Sequence, residues 1–311
     1  MKKVLIGCWI IIQILGFEPS LQAQPTNDWK ANDLRGKVKQ IHQKVYKSYK
    51  KNGKIKLMRM KAEQKMLFDK SGYLQESMYR YIGYGGNGKW KTTKYTYNKR
   101  NQCTGFKKFN GETLTSACEY TLKKGQVIAQ KYMDEKGQVL GITSYRRNRK
   151  GLVIEEKMTK SDGIVLQKTI YKYDRKKRIV YEKGWKKGKF QYEHKTSYLT
   201  KEERVIRKFD KTGKLTSFYE EKENITSEGK ITTNNYYDAP KKFTKKEHTQ
   251  FNSQGEKVLR RIYNADGSEQ KYNYMRYAYK YDKQSNWVRQ IEFLANGNSL
   301  DVSFREITYY E

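Results

Sequence analysis

The chain is short of proline, cysteine, histidine and acidic charge, and it has no long apolar run beyond its first residues. Of 311 residues, 3 are proline, 3 cysteine and 3 histidine. Asp and Glu number 33 against 66 Lys and Arg, a formal net charge of +33. Hydrophobic residues make up 36%, and the mean hydropathy is −1.03. The apolar deficit excludes a large oily-core enzyme. The proline deficit argues against a disordered tail, because disordered chains are usually proline-rich and poor in aromatics. What the chain does hold is 27 Tyr, 11 Phe and 5 Trp. It has the charge of an unfolded chain and the aromatic content of a folded one.

The one apolar stretch lies at the start. Lys2 and Lys3 form a basic n-region, Val4 to Phe17 is apolar except for Gln13, and Leu21-Gln22-Ala23 offers a small residue before Gln24. This is the layout of a secretory signal peptide over residues 1–23. It is shorter than the ~20 residues of a membrane-spanning helix. A lipoprotein box at Leu5-Ile6-Gly7-Cys8 is the rival reading, but it leaves almost no apolar region before Cys8. Removing residues 1–23 deletes Lys2, Lys3 and Glu18, so the net charge falls only from +33 to +32. The expected location is therefore exported: periplasmic, cell-surface or extracellular. The expected domain plan is a signal peptide at 1–23 and a single β-hairpin repeat domain at 24–311, clearest over 68–293.

The body has period-2 character. Tyr95-Thr96-Tyr97, Tyr171-Lys172-Tyr173 and Tyr277-Ala278-Tyr279-Lys280-Tyr281 alternate as half-buried strands do. Glu220-Glu221-Lys222-Glu223 fits a helix, a solvated loop or a strand end. A turn unit recurs in which an aromatic or apolar residue precedes Asp or Asn, and Gly follows three residues later. The best copies are Phe68-Asp69 with Gly72, Phe209-Asp210 with Gly213, Phe251-Asn252 with Gly255, and Tyr263-Asn264 with Gly267. The Asp or Asn side chain can accept hydrogen bonds from the backbone that follows. The Gly takes a left-handed conformation without a Cβ clash. Degenerate copies at Tyr97-Asn98, Tyr173-Asp174, Tyr237-Asp238 and Tyr281-Asp282 place Asn101, Lys177, Lys241 and Ser285 where Gly would be. Lys177 and Lys241 resist the left-handed region, so those two turns are expected to differ.

These residues resemble the tyrosine-aspartate (YD) repeats of RHS-type proteins, in a short secreted form as in Bacteroidetes-like bacteria. Tyr279-Lys280-Tyr281-Asp282-Lys283-Gln284-Ser285-Asn286-Trp287 is similar to the family's YxYDxxGNW form, with Ser285 in place of Gly. Asp33-Leu34-Arg35-Gly36-Lys37-Val38 resembles the opening strand of small exported repeat proteins. The resemblance implies an all-β chain of consecutive antiparallel β-hairpin repeats forming an extended, twisted or curled sheet. In large RHS proteins such sheets spiral into a shell around a toxin. This chain is too short for a large shell and has no recognisable C-terminal toxin region, so the delivery role is not carried over. At roughly 12–15 residues per strand and turn, about 20 strands are expected. Tyr rings and Lys stems would cover such a sheet without a thick core.

Cys103 and Cys118 flank Phe109-Asn110-Gly111-Glu112. Asn-Gly is a strong two-residue hairpin signal. With Asn110-Gly111 as the loop, Phe109 faces Glu112 and the two cysteines lie directly opposite. A disulfide is then expected in an oxidising compartment, with two unlinked thiols as the alternative. His42, His194 and His248 are far apart and read as ordinary strand histidines. Asn264-Ala265-Asp266-Gly267 lacks the later Glu of a calcium loop and reads as a turn. Tyr84-Gly85-Gly86-Asn87-Gly88 reads as a loop, and Gly184-Trp185-Lys186-Lys187-Gly188 as a hairpin tip with an exposed or edge Trp. No nucleophile, general base, paired carboxylates, metal site or cofactor motif stands out, so a non-enzyme is expected.

The cationic surplus is what remains. Lys on strands discourages edge-to-edge pairing, but equal Glu would serve as well. A surplus this large attracts polyanions. The candidate polyanion-binding residues are Arg146, Arg147, Arg149 and Lys150, with Arg175, Lys176, Lys177 and Arg178. Further clusters are Lys47-Ser48-Tyr49-Lys50-Lys51, Lys107-Lys108, Lys241-Lys242 and Lys245-Lys246. Export disfavours nucleic acid as the physiological partner. The expected role is a binding or scaffold element at the cell envelope that engages anionic glycan, lipopolysaccharide or lipid surfaces. The alternatives are an interaction module for a co-secreted protein and an enzyme acting on an envelope polymer.

Overall fold

The computed structural model describes residues 28–82 and 88–311. The expected signal peptide and most of the Tyr84–Gly88 loop lie outside the described residues. Alternating sequence becomes strand throughout. In chain order the strands are β1 (Val38–Lys51), β2 (Lys54–Phe68), β3 (Leu74–Tyr81), β4 (Lys91–Tyr97), β5 (Cys103–Asn110), β6 (Thr113–Lys123), β7 (Gln126–Asp134), β8 (Val139–Arg147), β9 (Val153–Lys160) and β10 (Val165–Tyr173). They continue as β11 (Ile179–Lys186), β12 (Lys189–Tyr198), β13 (Glu203–Phe209), β14 (Leu215–Thr226), β15 (Gly229–Asp238), β16 (Lys242–Asn252), β17 (Lys257–Asn264), β18 (Met275–Tyr281), β19 (Trp287–Leu294) and β20 (Ser299–Tyr309). The Glu220–Glu223 run is strand, within β14.

Each strand pairs antiparallel with the next, from β1 with β2 to β19 with β20. β20 then pairs with β1, from Val38 opposite Tyr309 to Lys47 opposite Asp301. The sheet is therefore a closed 20-stranded barrel. This corrects the expectation of an extended sheet. An open sheet of this size would leave two edges of unpaired backbone groups, and closure satisfies them. Measured across the strands, the perimeter is about 95 Å. The narrowest seam is β17–β18, where two residue pairs join the strands.

Because every strand reverses direction, the turns segregate. Turns after even-numbered strands lie on one rim, called the first rim, and turns after odd-numbered strands lie on the second. The N-terminal segment sits at the first rim. Its short helix α1 (Asp28–Ala31) places the Trp29 indole N–H on the Val38 carbonyl at 2.6 Å. The Asp28 carboxylate accepts from the Leu74 N–H at 2.6 Å and from the Tyr97 hydroxyl at 3.2 Å. Burial pushes the Asp28 carboxyl above its ordinary pKa, against the opposing effect of those hydrogen bonds. Around it packs the apolar core of Val38, Ile41, Met66, Phe68 and Leu74, with Trp29, Leu34, Tyr95, Ile307 and Tyr309 against it. Each fully buried side chain of this kind contributes about 1.5–3 kcal/mol.

The two faces of the barrel wall differ. The inward face carries buried Gln130, Thr143, Tyr145 and Thr169, each only 2–8% exposed. It also holds ion pairs such as Arg204–Glu221 at 2.7 Å, Arg260–Glu247 at 2.7 Å and Lys61–Asp301 at 2.5 Å. The outward face carries Glu76–Lys94, Glu119–Lys131, Arg146–Glu155–Lys168, Lys183–Glu193–Lys195 and Glu203–Lys222. A membrane-spanning barrel presents an apolar outward band, and Lys or Arg at the bilayer midplane costs roughly 2–4 kcal/mol each. The ion pairs of this face lie on β3–β4 and β6–β14, so that stretch of the wall is charged and is not a continuous apolar band.

The cysteine hairpin departs from the sequence expectation. Its loop is Gly111-Glu112, with Asn110 opposite Thr113, and a bulge lies between Lys108 and Phe109. Gly111 alone has positive φ there, as a type II′ turn requires, whereas an Asn-Gly type I′ turn needs both central residues in that region. The bulge adds a further residue of slip. Cys118 therefore faces Phe106, three residues from Cys103, or about 10 Å along the strand. Neither cysteine is in a disulfide, so the expected bridge is absent. Burial pushes the Cys103 thiol up to about 11. Gly105 between them is required, since a Cβ would collide with the Cys118 carbonyl oxygen.

Candidate polyanion-binding rim

The turn unit works as its spacing implies. The first Asp or Asn accepts from the N–H groups two and four residues on. Asp69 does so from Ser71 and Tyr73, Asn98 from Arg100 and Gln102, Asn148 from Lys150 and Leu152, and Asp210 from Thr212 and Lys214. The fourth residue is left-handed in every complete copy, as at Gly72 (φ 87°), Gly151 (φ 79°) and Gly213 (φ 82°). The Tyr173-Asp174 turn does not differ as expected. Lys177 takes the same conformation, φ 64°, as do Asn101 and Ser285. The main-chain bonds Asp174 N–H to the Arg178 carbonyl, 3.0 Å, and Lys177 N–H to the Asp174 carbonyl, 3.1 Å, hold it there. The Lys241 turn does differ, with a cis Ala239–Pro240 bond. Asn264-Ala265-Asp266-Gly267 is a turn in which Asp266 accepts from the Ser268 N–H and hydroxyl.

Tyrosine has a second task at the first rim. At the end of an even-numbered strand it reaches the opening carbonyl of the strand before. Tyr97 donates to Leu74 at 2.9 Å, Tyr173 to Val153 at 2.7 Å, Tyr198 to Ile179 at 3.3 Å, and Tyr279 to Lys257 at 2.8 Å across the narrow β17–β18 seam. Arg147 takes this place in β8, donating to the Val127 carbonyl at 3.0 Å and the Gly151 carbonyl at 2.8 Å. A net hydrogen bond of this kind is worth about 1 kcal/mol. These clamps hold five of the nine first-rim turns, three of them in the β4–β11 stretch, in a fixed position.

On that frame, four consecutive first-rim turns carry a cationic arc: 98–102, 124–125, 148–152 and 174–178. They hold Lys99 and Arg100, Lys124, Arg149 and Lys150, and Arg175, Lys176, Lys177 and Arg178, against one carboxylate, Asp174. All but Arg178 are exposed, and among the described residues none of those eight pairs with a carboxylate. Neighbouring turns on one rim are two strands apart, about 10 Å, so the arc spans about 30 Å.

The structure thus sorts the sequence-stated candidates differently from their order along the chain. Arg149, Lys150, Arg175, Lys176 and Lys177 come together on the arc. Arg146 lies on the outer wall against Glu155 at 3.2 Å, and Arg147 is bound to carbonyls. Arg178 is folded back on Asp174 at 2.7 Å and stacked on Tyr198, 3.8 Å from its ring centre. Lys99, Arg100 and Lys124 were missed. Counting every second turn as one rim would have found them. Other sequence features are placed elsewhere. Trp185 is half-buried in β11 with the Lys183 ammonium 5.5 Å from its ring. His42 meets Glu63 on the outer wall at 2.5 Å. Burial would raise the Glu63 carboxyl, but hydrogen bonds from His42 and Arg80 hold it below its ordinary value. His194 stacks on Tyr192, and burial lowers its pKa.

No protein-family model matches the chain, and no curated protein matches it. Among solved structures, the chain is similar to a porin-like protein from Bacteroides uniformis, at 14% identity and a TM-score of 0.35, covering 87% of this chain and 98% of that one. A porin-like protein from Bacteroides vulgatus shows 12% identity and a TM-score of 0.27, covering 86% and 97%. The Photorhabdus luminescens Tc holotoxin pore shows 11% identity and a TM-score of 0.25, covering 79% of this chain but 17% of that one. The chain thus spans about a fifth or less of the toxin chain. The barrel itself is read from this chain's own strand pairing. No family model supports the resemblance to YD repeats.

Proposed function

We propose that this protein is a non-catalytic, exported barrel that binds anionic envelope polymer, with phosphorylated or carboxylated glycan as the ligand class. The observation that carries this is the arc of eight exposed, unpaired cations on four consecutive turns of one rim. The turn geometry does not demand them. Its fixed positions are the first and fourth, and the cations occupy mostly the second and third. A 30 Å arc on a clamped barrel offers a polyanion several contacts at once, and each releases counterions. The paired charges of the outer wall compete less, because they already neutralise one another.

The test is binding of the purified protein to dextran sulfate, to purified lipopolysaccharide and to single-stranded DNA across a salt series. The expected result is salt-dependent binding to the glycans. The six-site variant K99Q/R100Q/R149Q/K150Q/R175Q/K176Q should bind about two to three orders of magnitude more weakly near physiological salt, with a shallower salt slope. Unchanged binding by that variant would overturn the arc as the site. Capture of one stoichiometric protein that survives high salt would favour a protein partner instead.

A further inference from the structure

A second cationic feature lies at the other end of the barrel and differs in kind. The β1–β2 hairpin is longer than its neighbours. β20 pairs with β1 only as far as Lys47, and β3 pairs with β2 only from Ala62. Beyond those points the two strands pair with each other alone, from Ser48 opposite Leu57 to Lys51 opposite Lys54, closed by Asn52-Gly53. These four residue pairs run about 14 Å beyond the last pairing with β20. Between Tyr46 and Met60 it carries Lys47, Lys50, Lys51, Lys54, Lys56 and Arg59 and no carboxylate.

The ribbon is two-faced. Its register puts Ile55 and Leu57 with Ser48 and Lys50 on one face, and Tyr49, Lys51, Lys54 and Lys56 on the other. Leu57 is 46% exposed and Met58 55%, among the most exposed large apolar side chains in the described residues. Exposed aliphatics beside Lys50, Lys51, Lys54 and Lys56, none of which pairs with a carboxylate among the described residues, fit an interface with an apolar layer under an anionic one. A second copy of this chain does not fit, because two such ribbons would bring like charges together. A soluble polyanion would use the lysines and leave Leu57 and Met58 unexplained. We infer that the β1–β2 ribbon docks on anionic bilayer surfaces, seating Ile55 and Leu57 from one face and Met58 from the other at the acyl boundary while the lysines reach the headgroups. The barrel wall stays in water and the ribbon alone touches lipid. The inference is independent of the first-rim arc.

Flotation with vesicles tests it. The purified protein should float with phosphatidylcholine vesicles containing phosphatidylglycerol and not with phosphatidylcholine alone. The variant L57S/M58S keeps every charge and should bind the anionic vesicles about tenfold more weakly, while its dextran sulfate binding and thermal melting stay unchanged. The arc-neutralised variant should float as the parent does. In a Leu57→Trp variant, the added indole emission should shift to the blue on anionic vesicles and be quenched by brominated acyl chains. Failure of the parent to float, equal flotation on neutral vesicles, full binding by L57S/M58S, or no quenching would each overturn the inference.

Discussion

The first rim is built from nine hairpin turns, and its two stretches share a scaffold but not a charge. The four turns from β4–β5 to β10–β11 carry nine cations and one carboxylate. The other five, 69–73, 199–202, 227–228, 253–256 and 282–286, carry Lys70, Lys201 and Lys283 against Asp69, Glu202, Glu228, Glu256 and Asp282. The geometry is common to both stretches. Asn252 accepts from Gln254 and Glu256 as Asn148 does from Lys150 and Leu152, and Tyr279 clamps Lys257 as Tyr173 clamps Val153. The fold therefore settles the first and fourth positions and leaves the second and third open. What fills those open positions is where function can be written without cost to the barrel.

If that is right, the charge can be moved. In the arc-neutralised background, Ser71→Lys, Glu228→Lys, Ser253→Lys, Gln254→Lys and Gln284→Lys would place cations on the opposite stretch. The turn uses the backbone N–H of Ser71, Gln254 and Gln284 and not their side chains, although the Gln254 Oε1 is buried and Lys there must move it. Dextran sulfate binding should recover by at least about tenfold, because phosphate-like contacts add through counterion release whatever turn bears them. No recovery in a titration would show that the original arc offers geometry as well as charge, and would sharpen the contrast between the two stretches.

Much of this frame is legible in the sequence. Alternation around Tyr, the Asp/Asn turn unit and the strand count of about twenty follow from local pattern. Closure does not, because the β1–β20 contact joins residues such as Gln43 and Arg305, which hydrogen-bond at 2.9 Å across 262 positions of sequence. Nothing local announces that pairing. The cysteine register failed for a smaller reason: Asn-Gly names a turn type, but the chain set its loop one residue on, and a bulge shifted the rest. The first-rim arc was half legible. Its residues were visible as clusters, but their gathering depends on counting turns by parity. The inward pair of Lys61 with Asp301 was invisible because its partners come from opposite ends of the chain.

Lys177 carries a strain that most fourth positions on this rim avoid. A residue with a Cβ in the left-handed region costs about 1 kcal/mol more than glycine there. The equivalent positions Gly72, Gly151 and Gly255 avoid that cost. Lys177→Gly should therefore stabilise the protein by about 1 kcal/mol, raising the melting temperature by roughly 2 °C in a chain of this size. Gly151→Lys should do the reverse. Glycan affinity should fall by only a few-fold in Lys177→Gly, since one of eight exposed cations is lost. A melting curve unmoved by both substitutions would mean that the turn does not hold these residues left-handed in solution.

The smallest expected effect separates Asp from Asn within the arc. The Asp174 carboxylate accepts from the backbone N–H of Arg178 at 2.9 Å and from its guanidinium at 2.7 Å, and this holds its pKa below the ordinary 3.8. A depressed carboxyl pKa gives a contribution that is present above the unfolded value and is lost as pH falls through the folded one. The Asp174 turn should thus stay ordered at neutral pH and loosen only below pH 3.8. Asn98 and Asn148 make the same backbone contacts without a titrating group. Amide exchange at Arg178 should accordingly quicken in acid relative to Gln102 and Leu152, after correction for the intrinsic pH dependence of exchange. In Asp174→Asn the difference should vanish. Parallel behaviour of all three amides in the parent would show that the carboxylate adds nothing to the turn beyond what an amide supplies, and that the two residue types are interchangeable along this rim.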